Sequence, residues 1–194
     1  MYTKVFAEVL ELVKTEDFKK ALRENILLVS ATLDRRLQKE KMINVFGWDP
    51  EVIDSMEVDY IKFLSLIKTF KDFGIGFKII PNLYIDEFWH NHILDTQQYY
   101  EDCHKIFNEM LHHFPYYGVL GEEDNKNWKA HSYICQTIWK ECFGENLYGE
   151  IDSEEDGYKH YKKLYKELSE MYKQPNDSKS ASRCRSTCKP QRCP

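Results

Sequence analysis

The sequence predicts an all-α protein: an irregular multi-helix bundle with a long central His-rich helix and a disordered C-terminal tail. Three observations lead there. Apolar residues recur at three- and four-residue intervals through most of the chain. Eight Gly and six Pro among 194 residues are few for the turns a β fold needs. From residue 174 onward no large apolar side chain occurs, so burial cannot offset the entropy of ordering that segment. The expected division is a helical domain over residues 1–172 and a basic, Cys-containing tail over 173–194.

The elements follow in order. Val5, Val9 and Leu12 give an amphipathic helix over 2–14. Thr15-Glu16-Asp17 restarts a helix through Phe18, Leu22 and Ile26, and Leu27, Leu28, Leu33, Leu37 and Met42 extend the helical pattern to about residue 43. Asp49 can cap a new helix, with Pro50 at its first position and Glu51 at its positive end. Val58, Ile61, Leu64, Ile67 and Phe70 then form the most regular apolar stripe, a core helix over about 56–72. Gly74-Ile75-Gly76 breaks it, and Phe77 to Pro81 reads as a short extended piece. A long helix is expected over 83–111, ended near Pro115 and Gly118. Trp128 to Phe143 is another, stopped by Gly144, with Glu122-Glu123-Asp124 as the acidic start of the same helix. An acidic loop over 145–156 and a last helix over 157–172 complete the body.

Charge and cysteine usage narrow the function classes. From Lys173 onward six Lys/Arg stand against Asp177 alone, so the tail carries +5 and the rest of the chain −10. An acidic body argues against nucleic acid as its partner, because phosphate contacts need clustered cations. No apolar run is long enough to span a membrane, and Glu8 and Glu11 inside the first apolar pattern argue against a signal peptide. Six Cys in a chain with its own core do not read as a secreted disulfide framework, so the expected location is cytoplasmic.

Five of the seven His (90, 92, 104, 112, 113) lie within 24 residues. Helical phase places Trp89, His92, Thr96, Tyr99 and Cys103 on one face, with Asp95 within reach of His92. His90 points to the other side, toward Asp86. Three readings of the shared face stay open, one of them a ligand pocket without a metal. In the second the face is a structural His/Tyr/Cys seam with its polar atoms hydrogen-bonded, in which case the domain is an interaction or regulatory module with a protein partner still to be named. Alternatively it is a metal or catalytic site using His92, Asp95 and Cys103 with His112 or His113. Those donors suit Zn²⁺ or Fe²⁺, with Tyr99 as a proton donor. His131 and Cys135 are further ligand candidates from the next helix, although no standard metal or catalytic signature occurs. Whether the chain is an enzyme is open on this reading.

The string Asp86-Glu87-Phe88-Trp89-His90-Asn91-His92-Ile93-Leu94-Asp95-Thr96, followed by Tyr99, Asp102-Cys103 and His112-His113-Phe114-Pro115-Tyr116-Tyr117-Gly118, resembles the glycine-rich domain-containing-protein-like family. Tyr60, Phe63-Leu64 and Ile80-Pro81 fit the same pattern, so the likeness covers about residues 40–120. The resemblance implies a fold and a set of positions, and no defined reaction. The chain departs from the family in having no glycine-rich segment; a Cys/Arg/Ser tail ends it instead. There Cys184, Cys188 and Cys193 offer three thiols for a soft metal or for oxidation, or stand as exposed reduced thiols. Cys135 and Cys142 read as buried and inert.

Overall fold

The computed structural model describes residues 2–149, with side chains from residue 7. The helix expected over 157–172, most of the acidic loop and the tail thiols lie outside the described residues. Within them there are seven helices and no strand: α1 (Tyr2–Val13), α2 (Glu16–Thr32), α3 (Arg36–Asn44), α4 (Pro50–Asp72), α5 (Leu83–Leu94), α6 (Thr96–Phe107) and α7 (Glu122–Phe143). No helix among them is long and apolar enough to cross a membrane.

Helix α4 is the hub, packed against α2, α3 and α5. It starts where its cap residues place it: the Asp49 side chain accepts from the Glu51 amide at 2.8 Å. Its inward face carries Ile53, Met56, Tyr60, Phe63, Leu64, Leu66 and Phe70, all buried. The stripe expected from spacing is displaced, for Val58 is half-exposed and Ile61 and Ile67 are only partly covered. Because neighbours press on α4 from several sides, its covered surface is wider than one stripe and centred on Tyr60 and Phe63. Polar atoms tie it to α2 as well. The buried Asn25 amide donates to Thr69 Oγ1 and Asp72 Oδ2, each at 3.0 Å.

Two of the expected continuous helices are divided. Leu33 turns extended (φ −80°, ψ 121°), so α2 ends at Thr32 and α3 begins afresh at Arg36. Leu27, Leu28 and Leu37, expected on its apolar side, are exposed, while Met42 is buried. The long helix over 83–111 is a helix pair. Asp95 leaves helical geometry (φ −87°, ψ 74°) and its side chain caps α6 by accepting from the Gln98 amide. An Asp beside Thr is as good a start signal as a mid-helix pair, which is why periodicity alone runs through the break. Helix α6 closes on Asn108 in the left-handed region, eight residues before Tyr116.

Helix α7 begins at Glu122, earlier than its first large apolar residue, with three acidic residues on its positive end. It stops at Gly144, in the left-handed region (φ 74°), where glycine carries no Cβ penalty. The α4–α5 connector, expected as a short extended piece, forms no strand, yet it is firmly held. Ile80 donates its amide to Cys135 Sγ at 3.3 Å and accepts from the Tyr148 hydroxyl at 2.7 Å. Asn82 caps α5 through Ile85 and donates to the Leu147 carbonyl, both at 2.8 Å.

Gly118 sits at φ 91° where an added Cβ would come within 2.9 Å of Trp128 Cγ. Gly118→Ala is therefore expected to cost about 1–3 kcal/mol through strain and overlap. Gly76→Ala, with nothing within 4 Å of its Cβ, should stay within about 0.5 kcal/mol of the parent. Urea unfolding of the two variants checks the contrast.

Candidate functional site

The structure separates the His-rich region into a sealed seam and an accessible cluster, with the Trp89 ring between them. The seam begins at His92, whose side chain is 1% exposed. Its Nδ1 lies 2.8 Å from the Tyr60 hydroxyl on α4. Its Nε2 lies 3.2 Å from Asp102 Oδ2 on α6. A neutral imidazole with its proton on Nε2 suits both neighbours, accepting from the tyrosine and facing the carboxylate. Asp102 is equally buried and is gripped on Oδ2 by the Arg35 guanidinium, while Oδ1 accepts from Gln98 at 2.9 Å.

Burial alone would raise the Asp102 carboxyl. His92, Arg35 and Gln98 together outweigh burial and hold the carboxyl below its usual range. Burial pulls the His92 imidazole down, against a smaller opposing pull from Asp102. Burial pushes both the Tyr60 phenol and the Tyr99 phenol upward, and raises the Cys103 thiol against a weaker pull from the Leu111 backbone. Each of these groups is thus driven away from exchanging a proton near neutrality, the opposite of what general acid–base chemistry asks.

Tyr99 completes the seam. Its hydroxyl accepts from Trp89 Nε1 at 2.9 Å and donates to the Leu111 carbonyl, so a buried oxygen is paired in both directions. The His92 and Tyr99 rings meet edge to face, centroids 4.8 Å apart. Of the residues expected on one face, His92, Tyr99 and Cys103 do share the interior with Trp89, whereas Asp95 and Thr96 are exposed at the α5–α6 break. Asp95 does not join His92; Asp102 takes that place. His112 is exposed and stays apart from His92. His104 is half-buried, bonded to the Tyr100 carbonyl at 2.8 Å. Cys135 is buried and its thiol is pushed up to about 12 by burial, which agrees with an inert cysteine.

On the other side of Trp89, Asp86 and His90 stand one turn apart on α5, and His113 arrives from the loop after α6. His113 Nε2 is 2.9 Å from Asp86 Oδ1, and His90 Nδ1 is 3.6 Å from Asp86 Oδ2. All three ligand atoms lie within 4.8 Å of one another, the sole such group of three His, Cys, Asp or Glu among the described residues. The set His92, Asp95, Cys103, His112 and His113 is not gathered into one. The His113 ring rests on Trp89 with centroids 4.7 Å apart.

Asp86, Trp89 and His113 also line a cleft of about 880 Å³. Its floor and walls come from Phe63 and Ile67 of α4, the connector 74–82, the loop 111–117 and the first turns of α7, including Trp128 and His131. His131 lies 3.3 Å from the Tyr117 hydroxyl and edge-on to Phe77, and burial lowers its pKa.

Sequence spacing did not find Arg35, Asp102 or the cleft. Arg35 and Asp102 are 67 positions apart, so no local pattern joins them. Asp86 and His90 were visible as an i, i+4 pair, but His113 could not be added without the α6 break and the loop that brings it back.

Two outcomes follow for the seam. Asp102→Ala leaves Arg35 buried without its partner and is expected to cost about 3–5 kcal/mol in urea unfolding. The second concerns pH. The folded pKa of His92 and of His131 lies below that of a free imidazole, near about 6.5, so the unfolded chain binds more protons below that pH. Their contribution to stability is full above about 6.5 and is lost as pH falls through the folded values. Comparing urea midpoints at about pH 7.5 and about pH 5 should show that loss, reduced in His92→Gln. No protein-family model matches the chain, and neither a curated protein nor a solved structure does.

Proposed function

We propose that this chain is an interaction module whose His/Tyr/Cys seam is structural and whose binding site is the cleft between α4, the 74–82 connector, the 111–117 loop and α7. The observation that carries this reading is the cleft itself: about 880 Å³, walled mainly by apolar and aromatic side chains, with polar groups confined to a few positions. Small-molecule sites have that size and that balance, the apolar walls supplying affinity and the few polar groups orientation. The occupant that fits is a small, largely apolar organic molecule with a polar end toward Asp86 and His113.

The sealing of His92, Tyr99 and Cys103 supports the same assignment. A catalytic use of the seam would need these groups to meet substrate and exchange protons, and burial works against both. The Asp86–Thr96 string supplies residues of both the seam and one wall of the cleft, His92 to the first and Asp86 and Trp89 to the second.

Titration with 8-anilinonaphthalene-1-sulfonate tests the reading, because Trp89 and Trp128 both line the cleft and report the dye by energy transfer. Saturable binding to the native chain is expected. Ala130→Trp, which places a bulky ring at the α7 wall, should abolish it while urea unfolding shows the same cooperative transition, at a cost of no more than about 1–3 kcal/mol. Absence of saturable binding, or binding indifferent to Ala130→Trp, would overturn the assignment of the cleft as the site.

A further inference from the structure

We propose that Asp86, His90 and His113 hold a divalent transition-metal ion at the edge of the cleft, Zn²⁺ being the ion their chemistry suits best. Three arguments converge. The first is donor type. Two imidazoles and one carboxylate, with no thiolate, form a borderline set that favours Zn²⁺ or Fe²⁺ over the all-oxygen cages taken by Ca²⁺ or Mg²⁺. Three protein ligands also leave a further position, the arrangement of zinc sites that accept an outside ligand.

The second is distance. With metal–ligand bonds of about 2.0–2.1 Å, tetrahedral ligand atoms sit roughly 3.4 Å from one another. One ligand atom from each residue can be taken with all separations within 4.8 Å, and the imidazoles flank the carboxylate at 2.9 Å from His113 to Oδ1 and 3.6 Å from His90 to Oδ2. Small side-chain rotations, above all of His90 at 34% exposure, bring the set to bonding geometry. The two imidazoles already lie with centroids 4.6 Å apart, each directed at a different oxygen of the one carboxylate.

The third is pre-organisation. Asp86 and His90 are fixed on one face of α5 by their i, i+4 spacing. His113 is fixed from outside the helix, by its contact with Trp89 and by the Tyr99 bond to Leu111 two residues earlier. The seam thereby sets the position of the third ligand. Asp86 and His113 face the cleft, so the remaining coordination position is open to whatever occupies it. On that point the inference rests on the proposed cleft and deepens it: the polar end of the ligand would be a metal-coordinating group such as a carboxylate.

Co²⁺ is the probe, titrated into the full chain carrying Cys184→Ser, Cys188→Ser and Cys193→Ser so that tail thiols do not compete. One Co²⁺ per chain is expected, displaced by Zn²⁺, with visible ligand-field bands and no thiolate charge-transfer band. His90→Ala and His113→Ala should each weaken binding by at least the roughly tenfold to hundredfold that loss of an outer-shell partner costs. His90 is the more exposed, so its variant keeps the test valid should His113→Ala loosen the loop. No binding by the chain lacking the tail thiols, binding equal in the His90 variant, or a thiolate band would each overturn the site. The dye titration repeated on His90→Ala separates the two readings. Dye binding by the native chain without Co²⁺ binding removes the metal site alone, absence of dye binding by the native chain removes the cleft, and dye binding kept in His90→Ala while Co²⁺ binding is lost supports both.

Discussion

Burying a carboxylate as completely as Asp102 is buried demands compensation from several directions, and meeting that demand fixes how the helices cross. The guanidinium comes from Arg35 at the α2–α3 junction, the imidazole from His92 on α5, and an amide from Gln98 one turn back on α6. Tyr60 then anchors the imidazole to α4. Four helices or junctions thus meet at one charge. Apolar contacts such as Phe63 on Trp89 and Phe18 on Phe70 tolerate sliding, whereas this chain of polar contacts has one register. Such a buried pair contributes little net stability over an apolar alternative, and its effect is on which packing is adopted.

From that fixed crossing the rest of the cleft side follows. Trp89 can point its indole nitrogen inward to Tyr99 and offer its ring outward to His113 because α5 and α6 are held at a set distance. The loop after α6 is in turn pinned by Tyr99 at Leu111 and by Lys71 at the Phe107 carbonyl, 2.6 Å away. One aromatic residue therefore separates two chemistries, a closed interior where titratable groups are driven from their ionising range and an open edge where Asp86, His90 and His113 gather.

Much of this was legible in the sequence for local reasons. The caps at Thr15 and Asp49, the stop at Gly144, and the shared interior of His92, Tyr99 and Cys103 all follow from spacing within one or two turns. The misreadings have a common cause. At Leu33 and at Asp95 the apolar period continues across a break, because helices that pack on a common core keep similar faces inward even when the backbone between them turns. Phase arithmetic that assumes a continuous helix then carries Asp95 to His92 and takes His113 far from Asp86. The seam's charge partner and the third residue of the accessible cluster are both set by tertiary contacts over 67 and 27 positions, which no window on the sequence samples.

The segment just past α7 bears on where this domain can be cut. Leu147 and Tyr148 are buried, and through Asn82, Ile80 and Gln136 they clasp the connector that forms one wall of the cleft. A fragment trimmed at the natural-looking boundary of Gly144 would retain every helix from α1 to α7 and still lose that clasp. The smallest excised unit able to keep the wall in place therefore extends at least through Gly149, whose carbonyl accepts from Gln136 at 3.1 Å.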